Sequence, residues 1–483
     1  MKKTSRLIKF QDAPLSLIVK QIFGRNELSC IEQASQLRLG FHAGYLVSII
    51  FVLCALPQAT FAQSCLAFLV PADEKISISL GMAEARLINC NRDVLASRRS
   101  IEAAEADRVT AGQRPNPNLT VGASNINRAA GIGSGPLQDK TIDSSVRLDQ
   151  LVERGGKATL RERQADAAIN AARADWQDVI RQQRLLLRQN YFELLFQQAR
   201  VDTQREFAGY AHSSLEATEK RLKADDIAPS EANRFRLDDV RAQNDLRQAE
   251  IDVRKARLEL AKSIGAEANA QFFAVSAVKL PINDGVKIPP SLDDRADLVA
   301  AAQRLEAAEA GRALAASIAT RDVTVSAQFD RWPASATNPQ GTGNSFSFYF
   351  SIPLSARHAN EGEARRALTD LQVAKDALAR LKVQAKFEAK LNLESWHAAV
   401  DRASRVEGEI LPLARNVAKA AEFAYGKGAT SVLDLLDARR TLKQTELDAS
   451  QANTDAGKAW AQWSASVELI SDKAVEQMTS EKP

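Results

Sequence analysis

Cysteine and histidine are scarce in this 483-residue chain, with four of each. The cysteines share no C-x-x-C spacing, and none lies beyond residue 90. Three of the histidines, His212, His358 and His397, lie far apart in the sequence. This pattern argues against a metal centre or redox motif built from these side chains. We therefore expect no metal site and no cofactor, and we expect these histidines to be solvated or packing residues.

Aromatic residues make up 6% of the chain, and the net charge is +4. So small a charge gives no field on the scale that nucleic-acid binding requires. We find no Walker loop, nucleophile elbow or zinc-protease helix, and we therefore expect that the protein is not an enzyme. Ala, Arg, Glu, Gln and Leu dominate instead, and this bias favours long helices or coiled coil.

An amino-terminal leader is predicted over residues 1–62. The largely apolar run Tyr45–Leu56 has 12 residues, whereas a membrane-spanning helix needs about 20. Basic residues precede it and small residues follow, so a secretory signal peptide cleaved near Ala62 is predicted, with a single-span anchor as the alternative. The stretch before the run is long, so either the leader is extended or translation starts downstream. Cys65 is a candidate for lipidation, and a disulfide with Cys90 is also permitted in an oxidising compartment.

The second half of the chain repeats part of the sequence of the first half. Residues 101–108 match residues 305–312 in six of eight positions, 204 residues apart, and further on an offset of 203 holds. A repeat of this length predicts a duplicated half-molecule. The halves are predicted over 63–280 and 281–470, followed by a disordered tail over 471–483.

Each half contains two segments in which apolar and polar residues alternate, and this alternation predicts strands. Their length matches that of membrane-spanning strands. Four strands cannot close a spanning barrel, which needs at least eight. Because an open sheet edge in lipid leaves backbone groups unpaired, several copies of the chain would have to share one barrel. Two hairpins of a soluble sheet are the alternative. The strands are predicted over about 117–126, 141–150, 322–331 and 345–353.

The remaining sequence predicts helices too long for a globular domain. From residue 157 to about 225, Gly209 is the one glycine and proline is absent, so a helix there would be roughly 100 Å long. Apolar residues follow a heptad pattern, which indicates coiled-coil packing. A simple coiled-coil rod would not need the alternating hairpins. Helices are predicted over about 82–113, 157–223, 230–264, 293–318, 361–424 and 431–469.

These motifs together resemble one family, the TolC-like outer-membrane efflux proteins, over about residues 78–470. The resemblance rests on the segments Leu80–Ala85, Arg114–Leu119 and Arg154–Lys157, and most strongly on Tyr425–Ala438. One departure is Asn91-Arg92-Asp93, where the family tends to have Asn-Pro. This departure concerns the local geometry there and leaves the expected fold unchanged.

The resemblance implies a mainly α fold with a membrane β-barrel. Long coiled-coil helices would form a periplasmic α-barrel, and four strands per chain would form a β-barrel closed by trimerisation. It implies a homotrimer in the outer-membrane lipid of a Gram-negative bacterium, with a large periplasmic portion. It also implies passive conduction, driven by an inner-membrane pump of the RND type through a periplasmic adapter protein.

The cargo and the class of function leave alternatives open. The Gly155-Gly156-Lys157 junction is similar to the heavy-metal, cobalt-zinc-cadmium branch of the family. Drug efflux and type I protein secretion are the alternatives for a channel. A periplasmic coiled-coil scaffold or adapter is the alternative of another class.

The two helix–helix tips are the candidate functional sites. Ser431 and Asp434 have the S-x-x-D spacing of a capping box. The resemblance implies that Asp434 and Asp437 line the closed periplasmic mouth, where crowding of carboxylates should raise some pKa values. Glu231, which lies opposite Asp434 at the 203 offset, is a third candidate residue of this mouth. Residues expected to bind the adapter and gate the mouth are Arg221, Leu222, Tyr425, Gly426, Gly428 and Ser431.

Overall fold

The computed structural model describes residues 76–124, 126, 140–266, 272–274, 288–334, 343–354 and 357–467. All of them belong to one compact unit, Cys65–Pro483. The predicted leader, Cys65 and the predicted tail lie outside the described residues. Cys90 is disulfide-bonded. Both its pairing with Cys65 and the lipidation of Cys65 stay predictions.

In both halves a helix, a strand pair and a long helical hairpin follow one another in that order. The first half contains β1 (Ile76–Ile78), α1 (Leu80–Cys90), α2 (Arg92–Gly112), β2 (Asn118–Ser124), β3 (Asp143–Val152), α3 (Lys157–Lys223), α4 (Pro229–Ser263) and β4 (Phe272–Ala274). The second half contains α5 (Ala296–Ser317), β5 (Val323–Trp332), β6 (Gly343–Ser351), α6 (Glu361–Arg405), a π-helical turn (Val406–Ile410), α7 (Leu411–Gly426) and α8 (Val432–Val467). The mainly α fold class with duplicated halves is confirmed.

The helix predicted over about 82–113 is two helices, and Asn91 separates them. Asn91 has extended backbone, with φ −68° and ψ 129°. Its side-chain oxygen accepts hydrogen bonds from the backbone N–H groups of Asp93 at 2.9 Å and Val94 at 3.1 Å. An asparagine in this role starts a new helix, because it satisfies N–H groups that have no partner within the helix.

The helix predicted over about 361–424 is interrupted by the π-helical turn. Pro412 has no N–H to donate to the carbonyl of Gly408, four residues earlier, and the N–H of Leu411 bonds instead to the carbonyl of Val406, five residues earlier. The repeat shows that this turn holds one extra residue. Buried Leu187, Leu194 and Val201 correspond to buried Ala389, Trp396 and Ala403 at an offset of 202, whereas below the turn Ala208 and Ala211 correspond to Leu411 and Ala414 at 203.

A four-stranded antiparallel sheet has the strand order β2-β3-β5-β6, and β1 pairs with β4 in a separate two-stranded parallel sheet. The register places Val121 beside Val146, Val146 beside Phe329, and Phe329 beside Phe346. One face of the sheet is therefore continuously apolar across both halves of the chain. Its phenylalanines are strongly exposed in the single chain, from 71% to 75% for Phe346, Phe348 and Phe350.

The opposite face of the sheet is polar and internally bonded. Arg147 forms an ion pair with Asp149 at 2.7 Å, donates to Ser326 at 3.2 Å, and lies 5.1 Å from the ring centre of Tyr349. Such a face satisfies its own charges next to water. The two faces differ as sharply as the period-two pattern predicts.

The helices pack into antiparallel pairs, α3 with α4 and α8 with α6 and α7. The largest apolar core joins α1, α3 and α4 around Leu87, Leu194 and Leu260, which are fully buried. In the second half Trp396 stacks on Trp463 at the position that corresponds to Leu194 and Leu260, with ring centres 5.0 Å apart. Within the described part of the chain, each helix lacks the long apolar stretch that crossing a membrane requires.

Candidate functional site

The tip between α7 and α8 is a tight connection that depends on Gly428. Gly428 has φ +73°, a left-handed conformation that disfavours residues with a Cβ. Its N–H donates to the carbonyl of Tyr425 at 2.9 Å, and the N–H of Ala429 donates to the carbonyl of Ala424 at 2.8 Å. These bonds close the end of α7 and turn the chain directly into α8.

The predicted capping box at the start of α8 is confirmed. The N–H of Asp434 donates to Ser431 Oγ at 3.2 Å, and the N–H of Ser431 donates to Asp434 Oδ2 at 3.2 Å. The hydroxyls of Ser431 and Thr430 donate to the same carboxylate oxygen at 2.7 and 2.9 Å. Asp434 is therefore held in place by three donors, at the positive end of a long helix.

The hydrogen bonds to Asp434 lower its pKa below the ordinary 3.8, with Ser431 as the largest cause and Thr430 next. We expected crowding to raise pKa values at this mouth, and within one chain Asp434 is shifted in the other direction. The bonded form is the carboxylate, so the cap is complete at neutral pH and is lost as the pH falls through the lowered pKa. Asp437 lies one turn further along α8, and its side chain is exposed.

Removing the Ser431 hydroxyl should loosen the first turn of α8. We expect Ser431→Ala to weaken this turn by about 1 kcal/mol, because the N–H of Asp434 loses its acceptor. Hydrogen exchange followed by mass spectrometry should show about fivefold faster exchange at the start of α8. Ser450→Ala, inside the same helix, is the control. Equal exchange in both variants would contradict the importance of the cap.

The tip between α3 and α4 is built differently. Asp225 has φ +58°, and Pro229 is the first residue of α4, where its missing N–H costs nothing. Glu231 lies in the first turn of α4 and is half-buried. Arg221 lies in the last turn of α3, with Leu222 half-buried beside it. Acidic and basic residues thus compensate the helix dipoles at both sides of this tip.

The two tips are in contact through two of the predicted residues. Arg221 donates to the hydroxyl of Tyr425 at 3.2 Å. Tyr425 also packs on a small apolar core shared by both halves, which consists of Phe235, Val432 and Leu436 together with Leu215. Gly426 ends α7 directly after Tyr425. The structure thus brings Arg221, Tyr425 and the α7–α8 connection together.

Three basic residues of α8 that the sequence analysis missed form a latch between the halves. Arg440 pairs with Asp238 of α4 at 2.8 Å, and Lys443 pairs with Asp245 at 2.8 Å. Arg439 donates to Ser214 of α3 at 2.9 Å and lies 5.5 Å from the ring centre of Tyr210. We call these contacts the cross-half latch. They line a cavity of about 250 Å³ between α3, α4 and α8.

The histidines do not assemble a metal centre in the part of the chain that the structure describes. His212 lies 3.5 Å from Glu216 and 3.6 Å from Asp239, as a partner of carboxylates. His397 lies beside Trp396, with ring centres 6.0 Å apart. No group of three or more His, Cys, Asp or Glu among these residues is arranged to hold a metal ion.

Comparison with known proteins finds similarity to one family. Residues 288–466 match the family described as outer membrane efflux protein. The cobalt-zinc-cadmium resistance protein CzcC of Cupriavidus metallidurans is 24% identical over 382 residues, which cover 78% of this chain and 87% of that protein.

Solved structures show the same fold. The CmeC outer membrane channel of Campylobacter jejuni matches with a TM-score of 0.68 and 12% identity, over 83% of this chain and 89% of that one. CusC, described in connection with transmembrane channel formation, matches with a TM-score of 0.64 and 17% identity, over 83% and 95%. The architecture implied by the sequence, helices together with a strand domain, is that of these channels.

Proposed function

We propose that this chain, a member of the outer-membrane efflux protein family, is the outer-membrane channel subunit of a tripartite efflux system. In this proposal the channel conducts passively, and an inner-membrane pump supplies the energy through a periplasmic adapter. The substrate passes from pump and adapter to the outside of the cell. The protein itself performs no chemistry.

The apolar face of the four-stranded sheet is the observation that carries the proposal. Phe348 and Val121 are more than two-thirds exposed although they lie in the middle of strands. A face of this kind on a narrow sheet is unfavourable in water and favourable in lipid. The long helices would then extend into the periplasm.

The sheet edges require that several chains share one barrel. β2 and β6 are the outer strands, so each has one row of N–H and C=O groups without a partner strand among the described residues. Unpaired backbone groups in lipid cost several kcal/mol each. Joining β6 of one chain to β2 of the next removes both edges, and three chains give the twelve-stranded barrel that the family resemblance implies. The assembly is therefore a homotrimer.

Channel formation is tested with purified protein in a planar lipid bilayer and on gels. We expect stable conductance steps, together with a band that changes its migration on heating. A soluble protein without conductance would instead support the periplasmic scaffold. The joined tips and the cavity beside the cross-half latch are the surfaces where we place the adapter.

Heavy-metal cations are the cargo that we favour. The similarity to a cobalt-zinc-cadmium resistance protein supports this choice, as does the mouth, where Asp434 and Asp437 would repeat in three subunits. A deletion strain should lose tolerance to cobalt, zinc or cadmium while its tolerance to antibiotics is unchanged. Loss of antibiotic tolerance alone would assign the channel to drug efflux.

The carboxylates of α8 should set the ion preference of the channel. We expect Asp434→Asn combined with Asp437→Asn to lower the cation preference several-fold, because a ring of negative charge attracts cations. Asparagine at position 434 keeps a side-chain oxygen that accepts the hydrogen bonds of the capping box, so the tip stays folded. The reversal potential in a salt gradient measures this effect. Asp448→Asn, higher on α8, is the control, and equal potentials in all variants would contradict a role of these carboxylates in the pore.

A further inference from the structure

Because the chain is duplicated, a contact between two helices within one chain predicts an equivalent contact between the corresponding helices of two chains. α3 of the first half packs antiparallel on α8 of the second half. Arg181 donates to the carbonyl of Ala465 at 3.0 Å. Further along, the ring of Phe192 lies so close to Gly457 that a Cβ added there would be 2.6 Å from it. In the duplicated molecule, α3 corresponds to α6 and α8 corresponds to α4.

The residue correspondence is fixed by buried pairs. Leu194 and Leu260 belong to one core, and Trp396 stacks on Trp463 in the other half. These pairs set the offset at 202 from α3 to this part of α6 and at 203 from α4 to α8. The contact between α3 and α8 therefore predicts which faces of α6 and α4 would meet.

The corresponding faces of α6 and α4 are apolar and uncovered. On α6, Val383 and Phe387 are 71% and 66% exposed. On α4, Leu258 is 55% exposed, whereas Ala461, its counterpart on α8, is fully buried. Leu258 and Phe387 lie at matching heights when the two helices are placed as α8 and α3 are. Within the described part of the chain, these faces of α6 and α4 are therefore uncovered, whereas the corresponding helices α3 and α8 pack on each other.

The charges on these faces are complementary. At the offset of 203, Arg254 of α4 corresponds to Gly457 of α8. At the offset of 202, Glu394 of α6 corresponds to Phe192 of α3. Arg254 and Glu394 are both exposed. Neither forms a hydrogen bond or an ion pair with another residue in the part of the chain described here. Within one chain the ring of Phe192 packs on Gly457. The corresponding positions on α6 and α4 carry a carboxylate and a guanidinium.

We infer that α6 of one subunit packs on α4 of the next, with Glu394 paired to Arg254 of that subunit and Phe387 packed on its Leu258. The occupant of these faces is thus a second copy of this chain. The contact is head-to-tail, and a head-to-tail contact closes into a ring when its rotation fits the number of subunits. The inference rests on the proposed trimer, to which it adds the helices and side chains of the seam.

A disulfide between subunits tests the seam directly. Arg254→Cys and Glu394→Cys are combined in the full chain, expressed in outer membranes and oxidised. We expect dimers and then covalent trimers on a non-reducing gel, and no ladder from either single variant. The control combines Arg254→Cys with Gln384→Cys, ten residues and about 15 Å away along α6.

The result separates the seam from the proposed function. Trimers that persist in mild detergent without a cross-link at 254 and 394 would overturn the seam and leave the channel proposal intact. A single-chain particle in the same detergent would overturn both.

Charge reversal gives a second, independent measurement. Arg254→Glu should lower the temperature at which the trimer dissociates on a gel, and adding Glu394→Arg should restore it. Dissociation temperatures that are equal in the original protein and in all variants would contradict the ion pair.

Discussion

Arginine in place of Phe348 should abolish assembly in the outer membrane. Phe348 lies in the middle of β6 on the apolar face, beside Ala327. A charged residue on the lipid side of a membrane strand costs about 2–4 kcal/mol near the bilayer centre, and a trimer carries the change three times. The heat-modifiable band should disappear from outer-membrane fractions, and conductance should be lost with it.

Ser347→Arg is the matched control for this experiment. Ser347 is the preceding residue of the same strand and pairs with Gln328 on the polar face. An arginine there would face water and polar neighbours, so assembly should be retained. If both variants assembled equally well, the apolar face would not contact lipid.

Removing the cross-half latch should open the periplasmic mouth. Arg440→Ala combined with Lys443→Ala breaks the pairs with Asp238 and Asp245, which join the two halves near the tips. Exposed ion pairs are worth about 0.2–1 kcal/mol each, but two pairs in each of three subunits act on one opening. Their combined loss should shift the closed state towards the open one by a factor of at least about ten.

Single-channel conductance measures this opening. The control is Arg402→Ala, which removes the pair with Asp455 at 3.4 Å between two helices of the same half. This variant should conduct like the original protein. Closed-state conductance that stays unchanged in the double variant would show that the latch does not hold the mouth.

The strands could be predicted because the alternation of apolar and polar residues lies within each segment. A strand with lipid on one side alternates between apolar and polar residues, as residues 323–330 do within Val323–Trp332. The capping box was predictable for the same reason, since Ser431 and Asp434 are three residues apart. Neither feature depends on the position of a distant segment.

Two interruptions of the helices were missed although the sequence carries a signal for each. Asn91 is a good amino-terminal cap, yet the periodicity on both sides favours a continuous helix. Pro412 lacks the N–H that a regular helix needs at this position. The helix nevertheless continues, because the π-helical turn accommodates the extra residue. The hydrophobic periodicity alone does not distinguish a true helix break from a π-helical turn within a continuing helix.

The cross-half latch could not be predicted, because it depends on how two hairpins about 200 residues apart are placed. Arg440 and Asp238 both lie on polar faces of long helices, where charged residues are ordinary. Only the packing of α8 beside α3 and α4 brings them within 2.8 Å. The same is true of Arg221 and Tyr425.

The mass of the intact particle tests most directly whether subunits pool their strands in one barrel. Protein extracted from outer membranes in mild detergent is measured by native mass spectrometry, with circular dichroism on the same sample. We expect a particle of three processed chains that has both helical and strand signals. A particle of one chain with a complete strand signal would contradict the shared barrel.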